Sequence, residues 1–324
     1  MNVVSTNGDS PMLSVVVPVY NEKDVLPKFH DRLLCVLESL CDPFEVIYIN
    51  DGSSDQSLEI LKSFCAANRF VSCIDLSRNF GKESAMTAGL DYSRGNAVII
   101  IDADLQDPPE IIPELLSRWR EGYDNVYATR RRRHGETWLK RVTAGMFYKV
   151  IGGLSRVKIP ADTGDFRLLS RRAVDALLQL REQHRFMKGL FAWIGYDAVA
   201  LEYDRDPRFA GESKFNYVKL WNFALEGITS FSIAPLKISS YFGAFVAIMA
   251  GIYAVSVVIK TMIFGNPVAG YASLMCSVLF LGGVQLVAIG ILGEYIGRMF
   301  NQTKNRPLYF VKRYFHAESG EQKP

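Results

Sequence analysis

The sequence predicts an α/β domain with a mostly parallel sheet, followed by two membrane-spanning helices. Short apolar runs and segments of helical periodicity alternate four times early in the chain, which is typical of strands joined by right-handed crossover helices. Residues 98–101 are all apolar, as expected for a strand buried on both faces of a sheet. Residues 238–259 and residues 271–293 are uncharged and long enough to cross a bilayer.

The predicted elements follow one another from residue 13. Asp51 and Gly52 favour a turn after the second strand, where Ser53, Ser54 or Asp55 can cap the next helix. In chain order we predict a strand over 13–19, a helix to about 40, a strand over 44–49, a helix through Leu58, Leu61 and Phe64, a strand over 71–76, a helix to 92, and strands over 98–101, 125–128 and 166–169.

Three acids follow the predicted strand over residues 98–101. Asp102 and Asp104 are two residues apart, so on an extended chain both carboxylates point the same way and can bind one hard cation. Ligands of open α/β sheets bind at this carboxyl edge. The alternative is that the acids only cap the helix that begins at Pro108 and Pro109, and we interpret Asp107 as such an N-cap.

Several protein classes are excluded by what the chain lacks. The loop after the first strand has no G-x-G-x-x-G and the chain has no G-x-x-x-x-G-K-[ST], which argues against dinucleotide oxidoreductases and P-loop NTPases. The net charge of +3 gives no case for nucleic acid as a partner. The cysteines show no metal-ligand spacing and are interpreted as reduced: Cys35, Cys41, Cys65, Cys73 and Cys276.

The basic residues around the apolar stretches predict a topology. The connecting loop contains Lys260 alone, so both flanks and both termini are expected in the cytoplasm, and we see no signal peptide. An amphipathic segment over residues 216–234 is expected to lie in the membrane interface. The flanking basic residues are Lys214, Lys219 and Lys237 before the first stretch, and Arg298, Lys304, Arg306, Lys312 and Arg313 after the second.

Four motifs together resemble those of polyprenyl-phosphate glycosyltransferases of family 2. They are PVYNE at 18–22, NDGSSD at 50–55, DADLQDPP at 102–109 and RFAGESK at 208–214. TGDFR at 163–167 and WIG at 193–195 make the chain most similar to the bactoprenol glucosyltransferases; dolichol-phosphate mannose synthases are related.

The resemblance implies a Rossmann-like GT-A fold and a division of the chain. The segments are a polar tail (1–11), a cytoplasmic catalytic domain (12–215), an interface helix (216–234), a membrane hairpin (235–299) and a cytoplasmic C-terminal tail (300–324).

The resemblance also implies roles for residues at the strand ends. The nucleotide-sugar donor is assigned to Pro18, Tyr20, Glu22, Asp51, Lys82 and Arg131. Arg131 lies in the run TRRRRH at 129–134, which as a plain sequence feature is equally compatible with a solvated basic loop. Asp102, Asp104 and Gln106 match the metal motif of the family and imply Mg²⁺ or Mn²⁺ on the donor diphosphate.

Asp165 is predicted to lie in a loop, residues 162–165, before the strand over 166–169. In the resembling family this position is near the anomeric carbon and the acceptor, which makes Asp165, with Asp102 and Asp104, a catalytic candidate. A turn aspartate is the alternative. A base and an orienting residue both remain open, because a lipid phosphate is largely dianionic at neutral pH and is already a nucleophile.

Arg208, Ser213 and Lys214 immediately precede the first membrane stretch and are assigned to the acceptor phosphate. A juxtamembrane basic patch for anionic lipid is the alternative. The implied activity is inverting transfer of one hexose, glucose from UDP-glucose, to undecaprenyl phosphate at the cytoplasmic face of the plasma membrane. Another sugar, or a nonenzymatic scaffold or translocator, is the competing hypothesis. Small residues in and just after the second stretch favour a homo-oligomer: Gly282, Gly283, Gly290, Gly293 and Gly297.

Overall fold

The computed structural model describes residues 12–130, 163–203, 234–264, 270–316 and 320–322. Within these residues, nine strands form one sheet in the order β7-β5-β6-β4-β1-β2-β3-β8-β9. The strands are β1 Leu13–Val19, β2 Phe44–Asn50, β3 Val71–Leu76, β4 Ala97–Ile100, β5 Asn125–Arg130, β6 Thr163–Ser170, β7 Ala198–Tyr203, β8 Val311–His316 and β9 Gly320–Gln322. The helices are α1 Leu26–Ser39, α2 Ser57–Ala67, α3 Lys82–Tyr92, α4 Ile112–Arg120, α5 Arg171–Leu178, α6 Met187–Trp193, α7 Ala234–Phe264 and α8 Tyr271–Thr303.

Four parallel strands form the centre of the sheet. β4, β1, β2 and β3 pair in parallel, which confirms the predicted fold class. Alternate residues of β1 belong to different halves of the core: Val15 and Val17 pack with α1, α2 and α4, whereas Val16 packs with α3, α5 and α6. Both faces of the sheet are therefore covered, which is why the central strands are continuously apolar.

Helix α3 lies unusually close to the sheet. A Cβ atom added at Gly89 would be 2.2 Å from Cγ1 of Val16 and 2.7 Å from Cδ1 of Ile49. Only a residue without a side chain fits this contact. The first turn of α3, which begins at Lys82, is thereby held at the carboxyl edge of β1 and β2.

The observed bounds of β6 differ from the predicted strand over 166–169. The strand begins at Thr163 and pairs antiparallel with β4 and β5, so Asp165 lies within a strand and not in a preceding loop. The prediction was wrong because a glycine between polar residues, here Gly164 between Thr163 and Asp165, is typical of a turn, whereas pairing with β4 and β5 extends these residues into the strand.

The two C-terminal helices are long and apolar. By length and composition, segments Leu236–Tyr253 of α7 and Phe280–Thr303 of α8 could each cross a membrane. The two helices contact each other, and the predicted stretches at 238–259 and 271–293 fall within them. Of the predicted interface segment, residues 216–233 lie outside the described residues.

Residues after α8 return to the sheet. β8 pairs antiparallel with β3, and the amide of Ser77 donates to the carbonyl of Phe310. The Tyr309 hydroxyl donates to Asp91 Oδ2 at 2.7 Å, beside the Arg181 guanidinium that also binds Asp91. The end of the second long helix is thereby anchored to the sheet.

Candidate active site

Lys82 joins two carboxylates at the carboxyl edge of the sheet. Its Nζ donates to Asp102 Oδ2 at 2.7 Å and to Asp165 Oδ2 at 2.5 Å. Ile100 of β4 pairs with Arg167 of β6, and continuing this antiparallel register by two residues brings Asp102 opposite Asp165. The ammonium group of Lys82 thus binds two carboxylates that lie 20 and 83 residues away from it in the sequence.

The charges of these three groups depend on one another. Burial raises the pKa of Asp102 to about 6, Lys82 opposes this rise, and Asp165 adds to it. Burial would also raise the pKa of Asp165, but Lys82 and Lys188 hold it well below its usual range. Burial would lower the pKa of Lys82, yet the two aspartates raise it. Lys82 is therefore cationic and Asp165 anionic at neutral pH.

Asp104 and Gln106 lie in a tight turn after β4. Asp104 Oδ1 accepts a hydrogen bond from the Gln106 amide at 3.1 Å, and Leu105 has a φ of 56°, in the left-handed region. The side chain of Gln106 is buried.

The donor set of this turn fits a hard divalent cation. Asp102, Asp104 and Gln106 offer carboxylate and amide oxygens, and Mg²⁺ in phosphate-transfer sites takes one or two carboxylates plus phosphate oxygens. In the described part of the chain, no three His, Cys, Asp or Glu side chains form a group that could hold a metal alone. A metal here would therefore need oxygens from a bound diphosphate.

Asp107 is not an N-cap. The 3₁₀ turn Pro109–Ile111 and helix α4 have Pro108 and Ile111 at their N-cap positions, and neither forms a side-chain cap. The carboxylate of Asp107 is buried and accepts a hydrogen bond from the Tyr203 hydroxyl of β7. The interpretation failed because this partner comes from a distant strand.

The loops after β1 and β2 are tied together by hydrogen bonds. The Asn21 amide donates to Ser53 Oγ at 3.0 Å, and Asn21 Oδ1 accepts from the Ser54 amide at 2.8 Å. The amide of Glu22 donates to Ser57 Oγ at 3.0 Å. Tyr20, 41% exposed, lies on this rigid platform. The predicted nucleotide-sugar residues Tyr20 and Glu22 lie in the loop after β1, and Pro18 lies near the end of β1 itself.

Asp51 shapes the loop that leads to Lys82. Its buried carboxylate accepts from the amides of Phe80 at 2.7 Å and Gly81 at 3.0 Å. Burial raises the pKa of Asp51, although the two amide hydrogen bonds and the charge of Arg78 act to lower it. Asp51, which the sequence predicted to bind the nucleotide sugar, thus also positions Lys82 through its contacts with the preceding loop.

Gly52 allows the close approach of these two loops. It has a φ of 64°, and an added Cβ would be 2.5 Å from the backbone of Arg78 and Asn79. Any side chain there would be strained and would displace the loop.

The sequence also matches known proteins. Residues 14–178, about half of the chain, match the profile of glycosyl transferase family 2. The chain belongs to glycosyl transferase family 2. Residues 234–299 match the GtrB C-terminal hairpin, which covers most of α7 and α8.

Two relatives and one solved structure represent these similarities. The chain is 56% identical to an uncharacterized glycosyltransferase of Synechocystis sp., with 94% of this chain and 96% of the relative covered. It is 48% identical to the SfII prophage-derived bactoprenol glucosyl transferase of Shigella flexneri, with 93% and 97% covered. Glucosyl-3-phosphoglycerate synthase of Mycobacterium tuberculosis, solved with Mn²⁺, UDP and phosphoglyceric acid, is 21% identical, with 68% and 76% covered and a TM-score of 0.49.

Membership of family 2 makes this chain a glycosyltransferase, as the motifs predicted. The structure brings together Lys82, Asp102 and Asp165, and places Asp104 and Gln106 in the adjoining turn. The remaining predicted site residues lie outside the described residues: Arg131, Arg208, Ser213 and Lys214.

Sequence reasoning missed Glu83 and Arg167. Glu83 Oε2 accepts a hydrogen bond from the Met187 amide at 3.2 Å, and burial together with Asp165 raises the pKa of Glu83 to about 8. Arg167 is 3% exposed, donates to the Gly164 carbonyl, and burial lowers its pKa to about 10. Their proximity to predicted site residues in the sequence was the signal: Glu83 follows Lys82, and Arg167 is two residues from Asp165.

Proposed function

We propose that this family 2 enzyme transfers glucose from UDP-glucose to undecaprenyl phosphate. The observation that carries the proposal is the 48% identity, over nearly the full length of both chains, to bactoprenol glucosyl transferases. The charged cluster of Lys82, Asp102 and Asp165 supports glycosyl transfer at this edge of the sheet.

The proposed reaction is a direct displacement. An oxygen of the lipid phosphate attacks the anomeric carbon from the face opposite UDP, a carbon–oxygen bond forms, and the bond to the UDP oxygen breaks, leaving its electron pair on UDP. The configuration at the anomeric carbon inverts. Because the phosphate is already a dianion, Asp165 needs only to orient the acceptor and stabilise positive charge on the sugar ring.

Lys82 supports this reaction in two ways. It holds the Asp102 and Asp165 carboxylates together against their mutual repulsion, and it places a cation near the leaving diphosphate. A Mg²⁺ or Mn²⁺ ion held by Asp102, Asp104 and Gln106 would neutralise further charge on the leaving group.

A donor screen tests the function. Purified enzyme in detergent is offered short-chain polyprenyl phosphate with UDP-glucose, UDP-galactose, GDP-mannose or UDP-4-amino-arabinose, and nucleotide release and the glycolipid are measured. We expect turnover with UDP-glucose. Preference for another donor contradicts the sugar assignment, whereas no acceptor-dependent release with any donor would favour a scaffold or translocator.

An Asp104→Asn variant tests the metal. A neutral amide is a poorer ligand for a hard cation, so Mn²⁺ binding in the presence of UDP, followed by electron paramagnetic resonance, should weaken by at least about tenfold. Asp42→Asn, which breaks a surface pair with Arg120, is the matched control. Unchanged Mn²⁺ affinity, or full activity in EDTA, contradicts the metal assignment.

The acceptor assignment rests on Arg208, Ser213 and Lys214. Loss of a bidentate contact to the lipid phosphate should raise KM for polyprenyl phosphate and lower kcat in Arg208→Ala, roughly thirty- to a thousandfold in kcat/KM. UDP affinity, measured by calorimetry, should stay nearly unchanged. If Arg208→Ala abolishes UDP binding, the arginine belongs to the donor diphosphate.

We further propose that α7 and α8 span the plasma membrane with both termini in the cytoplasm, because the basic residues flank the hairpin. Cys35 and Cys41 are exposed on the catalytic domain and serve as internal reporters. An impermeant thiol reagent should label neither on intact cells, but should label a cysteine introduced at Asn266. The opposite labelling pattern contradicts this orientation.

We also propose a homo-oligomer formed through α8. Gly283, Gly290 and Gly297 recur every seven residues, and a Cβ added at any of them meets nothing within 4 Å. Gly290→Leu should reduce the mass of the detergent-solubilised assembly in light scattering. An unchanged mass, or a monomeric wild type, contradicts the proposal.

A further inference from the structure

A cavity of about 140 Å³ lies between α6 and strands β5, β6 and β7. Since one water occupies about 30 Å³ in the liquid, the cavity has room for several water-sized groups. Its walls include Asn125 and Tyr127 of β5, Arg167 of β6, and Lys188 and Phe191 of α6.

The cavity adjoins the catalytic carboxylates. Arg167 lies two residues from Asp165 on β6, so both side chains leave the same face of the sheet. Arg167 pairs directly with Tyr127 across the strands, and Asn125 lies two residues further along β5 on that face. Asp165 thus leaves the same face of β6 as Thr163 and Arg167, which both line the cavity.

Two polar atoms at the cavity are buried without a hydrogen-bond partner among the described residues. They are Oδ1 of Asn125, an acceptor, and Nε of Arg167, a donor. Their side chains are 5% and 3% exposed. Buried polar groups left unpaired are destabilising, so each is expected to bind a ligand or water.

The nature of the two atoms limits the ligand. A hydroxyl group both donates and accepts, so hydroxyls can satisfy Asn125 Oδ1 and Arg167 Nε together. A phosphate or carboxylate accepts only and would leave Asn125 Oδ1 unpaired. The observed pair thus favours a polyhydroxylated ligand over a second anion.

The walls also suit a sugar ring. Phe191, Tyr127 and Tyr196 provide apolar aromatic surface, and the Arg167 guanidinium lies 3.8 Å from the centre of the Phe191 ring. Apolar surface combined with a few fixed polar groups is typical of specific small-molecule sites. The contact with Phe191 fixes the plane of the guanidinium and therefore the direction of the Nε–H bond.

We propose that this cavity is a specificity subsite that binds one or more hydroxyl groups of the transferred hexose, through Asn125 and Arg167. The inference rests on the proposed function and identifies residues that distinguish one sugar from another. It explains why polar residues occupy a face of β5 and β6 that faces α6.

The test combines side-chain changes with donor changes. kcat/KM is measured for UDP-glucose and for its 3-, 4- and 6-deoxy analogues, with wild type, Asn125→Ala and Arg167→Lys. Arg118→Lys, on the surface of α4, is the matched arginine control. Calorimetry with UDP alone reports whether each variant keeps its folded donor site.

For at least one analogue, wild type and Arg118→Lys should discriminate against the missing hydroxyl by about ten- to a hundredfold. Asn125→Ala, Arg167→Lys or both should reduce that discrimination to about threefold or less, with UDP affinity unchanged. Equal losses for all donors, unaltered discrimination in both variants, or loss of UDP binding in both overturns the subsite. Wild type inactive with every UDP-hexose instead contradicts the proposed function itself, and the subsite with it.

Discussion

Asp102 and Asp165 both accept a hydrogen bond from the ammonium group of Lys82, although Asp102 follows β4 and Asp165 lies within β6. Two carboxylates this close repel each other, and the ammonium group between them offsets the repulsion. This arrangement keeps Asp165 ionised and makes the protonation of each carboxylate depend on the other.

Lys82→Met should inactivate the enzyme while preserving its fold. Methionine keeps much of the side-chain length but removes the cation, so kcat/KM should fall roughly a hundred- to a thousandfold. The acid limb of the pH–rate profile should move to higher pH, because Asp165 loses the charge that lowers its pKa. Lys62→Met, at an exposed pair with Glu59, is the control. Activity within about threefold of wild type would refute a role for the ammonium group.

Glu83→Gln should change how stability depends on pH. Glu83 has a pKa of about 8 in the folded protein and an ordinary value of 4.5. Between these values the folded state keeps a proton that the unfolded chain has lost, so this residue lowers the free energy of unfolding as pH rises.

The glutamine variant lacks this contribution, and its Tm should therefore rise relative to wild type from pH 5 to pH 8.5, measured by thermal unfolding in detergent. Exposed Glu38→Gln on α1 should instead follow wild type. A constant Tm difference between Glu83→Gln and wild type would show that the pKa of Glu83 is not raised.

Gly52→Ala should weaken donor binding. The new methyl group would collide with the backbone of Arg78 and Asn79, at a φ of 64° that alanine disfavours. The loop held by Asp51 would shift, and UDP affinity by calorimetry should fall about tenfold or more. Gly122→Ala is the control, because Gly122 also has a positive φ but an added Cβ there would meet no neighbouring atom. Its effect therefore measures backbone strain without a steric collision. Equal, small effects in both variants would argue against the loop contact.

Tyr309→Phe should loosen the C-terminal segment. It removes the hydrogen bond to Asp91 and should lower the free energy of unfolding by about 1 to 2 kcal/mol, since the acceptor is a carboxylate. Hydrogen exchange of β8 should accelerate more than that of β1. Tyr241→Phe, at an exposed position on α7, should change neither quantity. Uniform acceleration across the sheet would mean that β8 does not open separately.

Much of the fold could be predicted because its signals are local. The bounds of β1 and β3 agree with the apolar runs at 13–19 and 71–76, and both long C-terminal helices were evident from uncharged stretches. A strand buried on both faces must be continuously apolar, and a helix that could cross a membrane must be predominantly apolar.

The sequence by itself determined the fold class and the family and predicted the main site residues, because each depends on short motifs and runs. Only the tertiary structure decided that Asp165 lies in a strand, that Lys82 joins it to Asp102, and that Asp107 binds Tyr203. It also placed Arg167 beside a cavity and β8 beside β3. These relationships are pairings between residues far apart in the chain, and they arise from strand register and helix packing, which no local pattern specifies.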